Sequence, residues 1–182
     1  KEEVQKLSEE IRTNNQKITR LEQAIANTFS GYDNITTERR NGRLYIKVTN
    51  DILYKAGRAK IEKTSQGTID RLASAFNTVP DLSVMVEGHT DNDPVKIHRA
   101  KFSDNWALST ARANNVVRAL QAAGVSVNRL TASGRGETVP VSSNDTKEGK
   151  AQNRRTEFIV YPDGKVQELY QFYKSNMSGS TN

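Results

Sequence analysis

Side chains able to do chemistry are concentrated in residues 84–120. Residues 82–87 alternate apolar and polar side chains and predict a β-strand, and the run Gly-His-Thr-Asp-Asn at residues 88–92 follows directly. Thr90 and Asp91 therefore lie at a strand end, where the loops of a fold carry function. A carboxylate in this position can bind a cationic group.

A helix is predicted to follow, over residues 105–123. Ser103 and Asp104 are good N-cap residues, and Gly124 closes the helix. Spacings of three and four place four side chains on one helical face: Asn105, Leu108, Ser109 and Arg112. An adjoining stripe can pack on the sheet: Trp106, Ala113, Val117 and Leu120. A buried stripe beside a polar stripe with a cation is typical of a binding site.

Other chemistries fit this region less well. Imidazole and carboxylate groups together can bind zinc or iron, and four such side chains occur here without a recognised ligand spacing: His89, Asp91, Asp93 and His98. Residues 134–137 lack the third glycine and the following helix of a dinucleotide-binding loop. No serine has an evident histidine and acid partner for nucleophilic catalysis. Asp91 and Arg112 could also be a purely structural ion pair, and the residues alone leave that alternative open.

The composition bounds the whole chain. Its 182 residues are 35% hydrophobic with a net charge of +6 and a mean hydropathy of −0.73, which predicts one domain with a solvated appendage. No apolar run approaches the ~20 residues of a membrane span, and the absence of cysteine excludes disulfides. The basic residues are dispersed without an RNA-binding signature, so no nucleic-acid partner is expected. The chain begins at Lys1 without a signal peptide, so we expect a fragment whose membrane anchor lies in an absent segment.

The first 29 residues predict a helical stalk. Apolar residues step by three and four over about four heptads, with Asn14 in one core position. They are Val4, Leu7, Ile11, Ile18, Leu21 and Ile25. We expect a coiled coil that joins two copies into a weak homodimer. The pattern leaves open the alternative of an amphipathic helix that packs on its own domain.

The remaining elements alternate between strand and helix. Asn41 and Gly42 supply a two-residue hairpin turn between strands at residues 35–40 and 43–48. Further elements are helices at 64–77 and 147–153, strands at 127–134 and 156–161, and an amphipathic helix at 163–174 before a frayed tail. This order predicts an α/β two-layer sandwich.

Four motifs together resemble one known family. They are residues 88–92, the Asn-x-x-Leu-Ser-x-x-Arg-Ala spacing from Asn105, the Gly-x-Gly-Glu-x-x-Pro run at 134–140, and Asn-Arg-Arg-Thr-Glu at 153–157. In this order they closely resemble the peptidoglycan-binding domain of the OmpA, Pal and MotB family, over about residues 43–162. The resemblance implies a mixed βαβαβ sheet with helices on one face. It also implies a groove that holds the diaminopimelate of the cell-wall peptide.

The resemblance implies roles for individual residues. Asp91 matches the family aspartate that holds the ligand ammonium, and Arg112 matches the arginine that holds its carboxylate. Tyr54 stands where many members have phenylalanine. Position in the motifs implies further groove residues: Thr90, Asn105, Leu108, Ser109, Arg154 and Arg155. Diaminopimelate carries both charges at its far end, and the planar fork of arginine suits a carboxylate.

We therefore predict a stalk at 1–29, a linker and first hairpin strand at 30–42, an OmpA-like domain at 43–162, and a C-terminal helix and tail at 163–182. The expected function is non-enzymatic anchoring of an outer-membrane or envelope protein to peptidoglycan, in the periplasm of a Gram-negative bacterium and without metal or cofactor. Two alternatives stay open. One is a MotB-like stator fragment that anchors an ion-driven motor to the wall, and the other is a metal-dependent wall hydrolase.

Overall fold

The computed structural model describes residues 2–96 and 100–162, so the helix predicted at 163–174 lies outside the described residues. The described strands are β1 (Ile35–Arg40), β2 (Arg43–Thr49), β3 (Ser83–Gly88), β4 (Leu130–Gly134) and β5 (Arg155–Tyr161). The described α-helices are α1 (Glu2–Thr28), α2 (Asn50–Leu53), α3 (Gln66–Asn77), α4 (Asn105–Ala122) and α5 (Lys147–Asn153). Among these residues, no helix combines the length and the apolar character needed to cross a membrane.

The strands form one mixed sheet in the order β1-β2-β5-β3-β4. Among the described strands, only the β3–β4 pair is parallel, and α4 supplies its crossover. The β1–β2 hairpin turns at Asn41 and Gly42, which have φ values of 51° and 73°, as a turn with two left-handed residues requires. The predicted α/β sandwich is confirmed.

The core lies between one face of the sheet and the helices. Alternate residues of β2, β3 and β5 are buried in one apolar cluster with side chains of α1, α3 and α4. The sheet residues of this cluster are Leu44, Ile46, Val48, Val84, Val86, Phe158 and Val160. Period-two alternation of the strands thus explains why all three helices pack on the same face.

The structure corrects the prediction of a separate stalk. Ile18, Leu21 and Ile25 of α1 are at most 2% exposed and belong to the domain core. The strand β1 is an edge of the same sheet, so neither residue 29 nor residue 42 is a domain boundary. The heptad pattern was ambiguous because a helix packed on its own domain presents the same stripe as a coiled coil. The N-terminal half of the stripe lies outside the core: Val4 is 58% exposed, and Leu7, Ile11 and Asn14 are partly buried.

Close contact between α4 and the sheet sets the position of the candidate site. Gly88 and Gly134 pair across β3 and β4, and a Cβ on either would collide with Ser109 or Thr110 of α4. Asp104 caps the helix, because its Oδ1 accepts a hydrogen bond from the Ala107 amide at 2.8 Å. The N-terminal turns of α4 therefore lie directly beside the end of β3. Trp106, predicted to pack on the sheet, is instead 50% exposed.

Candidate functional site

A cavity of about 440 Å³ opens where β3 ends beside the N-terminal turns of α4. Its size falls within the usual range for small-ligand sites. Most of the predicted site residues line it: Tyr54, Thr90, Asp91, Asn105, Leu108, Arg112 and Arg154. Residues from four separate parts of the chain thus meet at one opening, which the linear sequence could not show directly.

Asp91 presents one side of its carboxylate toward Arg154. The residue is only 6% exposed, and its Oδ2 lies 2.6 Å from Arg154 Nη1. Its Oδ1 accepts a hydrogen bond from the Asp93 amide at 3.0 Å, and its carbonyl accepts one from the Thr90 hydroxyl at 2.8 Å. These bonds hold the carboxylate in one orientation at the cavity wall.

Arg112 is held by its inner nitrogen and by an aromatic ring. Its Nε donates to the Arg58 carbonyl at 2.9 Å, and its guanidinium carbon lies 5.0 Å from the centre of the Tyr54 ring. Among the described residues, neither terminal Nη atom has a hydrogen-bond partner. Burial lowers the pKa of Arg112, while Tyr54 and Asp91 oppose that effect. The outer edge of a charged guanidinium is therefore free to accept a ligand.

Tyr54 forms the inner wall next to Arg112. Its hydroxyl donates a hydrogen bond to the Arg112 carbonyl at 3.2 Å, so ring and hydroxyl both contact the same residue of α4. Burial raises the pKa of Tyr54 to about 12. The phenol therefore stays neutral at physiological pH and acts as a hydrogen-bond donor and packing surface.

Asn105 ties the strand-end loop to α4. Its side-chain amide donates to the carbonyls of Asp91 at 3.3 Å and Asp93 at 3.0 Å, and to the Glu137 carboxylate. Lys150 contacts Asp93 at 2.8 Å, and this bond holds the pKa of Asp93 below its ordinary value. Sequence reasoning did not include Glu137 or Lys150 in the site. Glu137 belongs to the motif at 134–140, but no spacing in the sequence indicated contacts of Glu137 and Lys150 across 32 and 57 residues.

Two predicted site residues lie away from the cavity, so we correct the prediction that they contact the ligand. Ser109 is fully buried and accepts a hydrogen bond from the Gly136 amide at 3.0 Å, which joins α4 to the loop after β4. Arg155 is 1% exposed and donates to Glu157 at 2.7 Å and to the Val139 carbonyl at 3.1 Å. Both side chains support the fold around the site.

His89, one of the two histidines considered for a metal site, is not in the cavity lining. His89 is buried, and its Nε2 lies 3.1 Å from Glu87 Oε1, a contact that holds the pKa of Glu87 below its ordinary value. Glu87, His89 and Glu157 place potential ligand atoms within 4.8 Å of one another. Since Arg155 already neutralises Glu157, we interpret this group as an ion network. His98 of the predicted metal set lies outside the described residues.

The structural ion pair between Asp91 and Arg112, which the sequence left open as an alternative, is not formed. Among the described residues, Asp91 pairs with Arg154 and Arg112 has no acidic partner at ion-pair distance. The cavity therefore presents a carboxylate and a guanidinium that are both oriented by other contacts. Leu108 and Val95 add apolar surface between the polar groups. Such a site can hold a zwitterion and pack against its carbon chain.

Comparisons with known proteins find related sequences and structures. Residues 53–154 match the OmpA family. Motility protein B of Bacillus subtilis (strain 168) is 32% identical over 131 residues, covering 71% of this chain and 49% of that protein. Peptidoglycan-binding protein ArfA of Mycobacterium bovis is 36% identical over 92 residues, covering 50% of this chain and 26% of that protein. The chain thus spans about half or less of these relatives.

Solved structures share the fold. The cell wall anchor of the T6SS from Pseudomonas aeruginosa superposes with a TM-score of 0.71 at 33% identity, covering 79% of this chain and 98% of that chain. The likeness extends beyond residues 53–154, because it includes more of the chain than the family match.

Proposed function

Because this chain belongs to the OmpA family, we propose that it binds cell-wall peptidoglycan non-covalently and takes the diaminopimelate of the peptide stem into the cavity between Asp91 and Arg112. The domain anchors an envelope protein to the wall from the periplasmic side and performs no reaction on it. Two of the similar proteins support this proposal, since one is named a peptidoglycan-binding protein and the other a cell wall anchor.

One observation carries the proposal. Asp91 and Arg112 line the same cavity but do not pair with each other, and Arg112 has free terminal nitrogens among the described residues. Diaminopimelate ends in an ammonium and a carboxylate on one carbon. The ammonium would lie at Asp91, and the carboxylate would accept two hydrogen bonds from the guanidinium fork.

The apolar lining suits the rest of the residue. Leu108, Val95 and Tyr54 line the same cavity as the charged groups. The methylene chain of diaminopimelate can pack on these side chains, at about 0.8 kcal/mol for each buried methylene. A site that binds both charged groups and also the methylene chain would favour diaminopimelate over a short amino acid that lacks this chain.

Binding of two matched pairs of variants to isolated sacculi tests the proposal. We expect Asp91→Asn and Arg112→Lys each to lose most binding, because truncating one partner of a desolvated charged contact costs ~2–5 kcal/mol. Arg112→Lys keeps the charge but loses the bidentate geometry. Melting curves on the same samples separate lost binding from lost folding.

The controls are chosen to match in chemistry. Arg129 also donates to backbone carbonyls, those of Leu82, Phe76 and Val79, but lies away from the cavity. Arg129→Lys should therefore lower stability without changing binding per folded molecule. Asp81→Asn removes an exposed carboxylate paired with Lys17, and it should change neither stability nor binding. Retention of wild-type binding by Asp91→Asn or Arg112→Lys would contradict the proposed site.

A second candidate role uses the same wall contact. Motility protein B of Bacillus subtilis aligns with 71% of this chain, which favours a stator fragment that anchors an ion-driven motor. The two roles share the diaminopimelate site and differ in what precedes it in the full protein. Sequencing the gene upstream of residue 1 separates them, since a stator requires a single membrane-spanning helix with an acidic residue.

A further inference from the structure

A second cleft lies beside the diaminopimelate cavity. It has a volume of about 500 Å³ and runs between the segment 58–60, residues 101–102 and the outer face of α4. Its apolar lining consists of Ala59, Phe102 and Ala111. We call this feature the basic cleft, because the charged residues that line it are Arg58, Lys60 and Lys101.

The two cavities share one wall. Ala59 and Phe102 of the basic cleft form a single apolar cluster with Val95 and Leu108, which line the diaminopimelate cavity. A ligand that fills the first cavity and continues past this cluster would therefore reach the basic cleft.

Two hydrogen bonds hold the shared wall against α4. Arg112 Nε donates to the Arg58 carbonyl at 2.9 Å, and Asn115 Nδ2 donates to the Ala59 carbonyl at 2.8 Å. Since both donors are side chains of α4 and both acceptors are backbone atoms, the segment keeps its place when the side chains of Arg58 or Lys60 are changed. Arg112 thus lines the diaminopimelate cavity and also anchors the wall of the basic cleft.

The charge of the basic cleft is not balanced. Arg58, Lys60 and Lys101 are exposed, and none of them forms an ion pair with an acidic residue in the described part of the chain. The diaminopimelate cavity, in contrast, has three aspartates beside its four basic lining residues, so charges of both signs are present there. The basic cleft has no acidic lining residue among those described, so no carboxylate there opposes the attraction of an anionic group.

We infer that the basic cleft binds the free carboxylate end of the wall peptide, at the residue that follows diaminopimelate, and prefers a small apolar side chain such as that of alanine. This inference rests on the proposed function, because diaminopimelate fixes where the peptide lies. Lys60 and Lys101 attract the carboxylate, while the Phe102 surface contacts the methyl group. The cleft is thus a specificity site for uncrosslinked peptide, whose terminal carboxylate is still free.

Calorimetric titration with three synthetic peptides tests the inference. The peptides are identical through diaminopimelate and end in D-alanine acid, D-alanine carboxamide or glycine acid. For the wild type, we expect the acid to bind on the order of threefold to tenfold more tightly than the carboxamide, as two partly exposed ion pairs would give. The peptide that ends in D-alanine acid should bind about threefold more tightly than the one that ends in glycine acid, because it buries one more methyl group.

Paired variants locate the effect. Lys60→Gln/Lys101→Gln should bring the acid-to-carboxamide ratio to about one and leave the binding of the carboxamide peptide unchanged. The control Lys6→Gln/Arg20→Gln removes the same charge from exposed positions of α1 and should keep the wild-type ratio. Equal wild-type binding of acid and carboxamide would overturn the inference, and so would an equal loss of the ratio in the control. If none of the three peptides binds, the proposed function itself fails.

Discussion

Arg154 Nη1 donates a hydrogen bond to Asp91 Oδ2 at 2.6 Å, across 63 residues of chain, whereas the next residue, Arg155, bonds to Glu157 at 2.7 Å away from the cavity. Arg154 is the last residue before β5, and Arg155 is its first. One arginine of this pair thus orients a carboxylate in the cavity wall, and the other completes a buried ion pair. The two side chains are chemically identical, so only their surroundings assign the roles.

Substituting these two arginines should separate binding from stability. The Arg154 side chain is 44% exposed, so Arg154→Gln should change the free energy of unfolding by at most about 1 kcal/mol. It should weaken peptidoglycan binding by about 1–2 kcal/mol, because the ligand loses a cationic neighbour and Asp91 loses its orienting partner. Arg155→Gln should cost about 3–5 kcal/mol of stability, because it leaves Glu157 charged and unpaired. Chemical denaturation and sacculus binding of both proteins check this.

The helix α1 should contribute strongly to the stability of the domain. Leu21 is fully buried against the sheet and α3, so Leu21→Ala should destabilise by about 2–5 kcal/mol. The matched change Val4→Ala on the same helix should stay within about 0.5 kcal/mol, since Val4 is mostly exposed. Urea denaturation measures both. Equal effects would mean that α1 does not pack on the domain in solution.

The N-terminal half of α1 should form only a weak dimer. Val4, Leu7, Ile11 and Asn14 remain outside the core, which leaves less than the roughly three to four heptads that a coiled coil requires. Sedimentation should therefore detect association only at high concentration, and deletion of residues 1–14 should abolish it. Identical monomer masses with and without these residues at high concentration would remove the proposed dimer.

Stability should fall at alkaline pH through Tyr54. The pKa of this phenol is raised from 10.0 to about 12 by burial, so the native state retains a proton that the unfolded state loses above pH 10. Between about pH 10 and 12 the free energy of unfolding should therefore fall by at most about 1.4 kcal/mol per pH unit through this group, whereas below pH 10 the group adds no pH dependence. Tyr54→Phe should remove this component. Phenolate absorbance that shows no tyrosine titrating near pH 12 would contradict the prediction.

Peptidoglycan binding should weaken as salt rises. Arg112 and Arg154 lie at the cavity with Lys55 and Lys96, and the ligand carboxylate is attracted by all four. Screening acts over about 8–10 Å near physiological ionic strength, so the exposed lysines should lose their contribution first. Affinity for a diaminopimelate peptide, measured from low to high salt, checks this. A flat profile would count against a mainly ionic contact.

Local patterns in the chain predicted most elements and the two central site residues. The Asn41-Gly42 turn, the capped helix from Asn105 and the alternating strands depend on backbone geometry within a few residues, so their sequences suffice to predict them. The motifs likewise identified Asp91 and Arg112, because a strand-end aspartate and a helical arginine at fixed spacing are local features. The family match confirms that resemblance.

Tertiary structure alone decided which partner each side chain meets. The stripe of Ile18, Leu21 and Ile25 fits a coiled coil and a packed surface helix equally well, and only the apolar face of the sheet determined the outcome. Arg154 and Arg155 were indistinguishable until the strand β5 turned one toward Asp91 and the other toward Glu157. Asn105 and Glu137 are 32 residues apart in the sequence, so no local pattern predicts the hydrogen bond between them. The sequence determined local conformation, whereas pairing across the fold depended on the packing of α4 and the sheet.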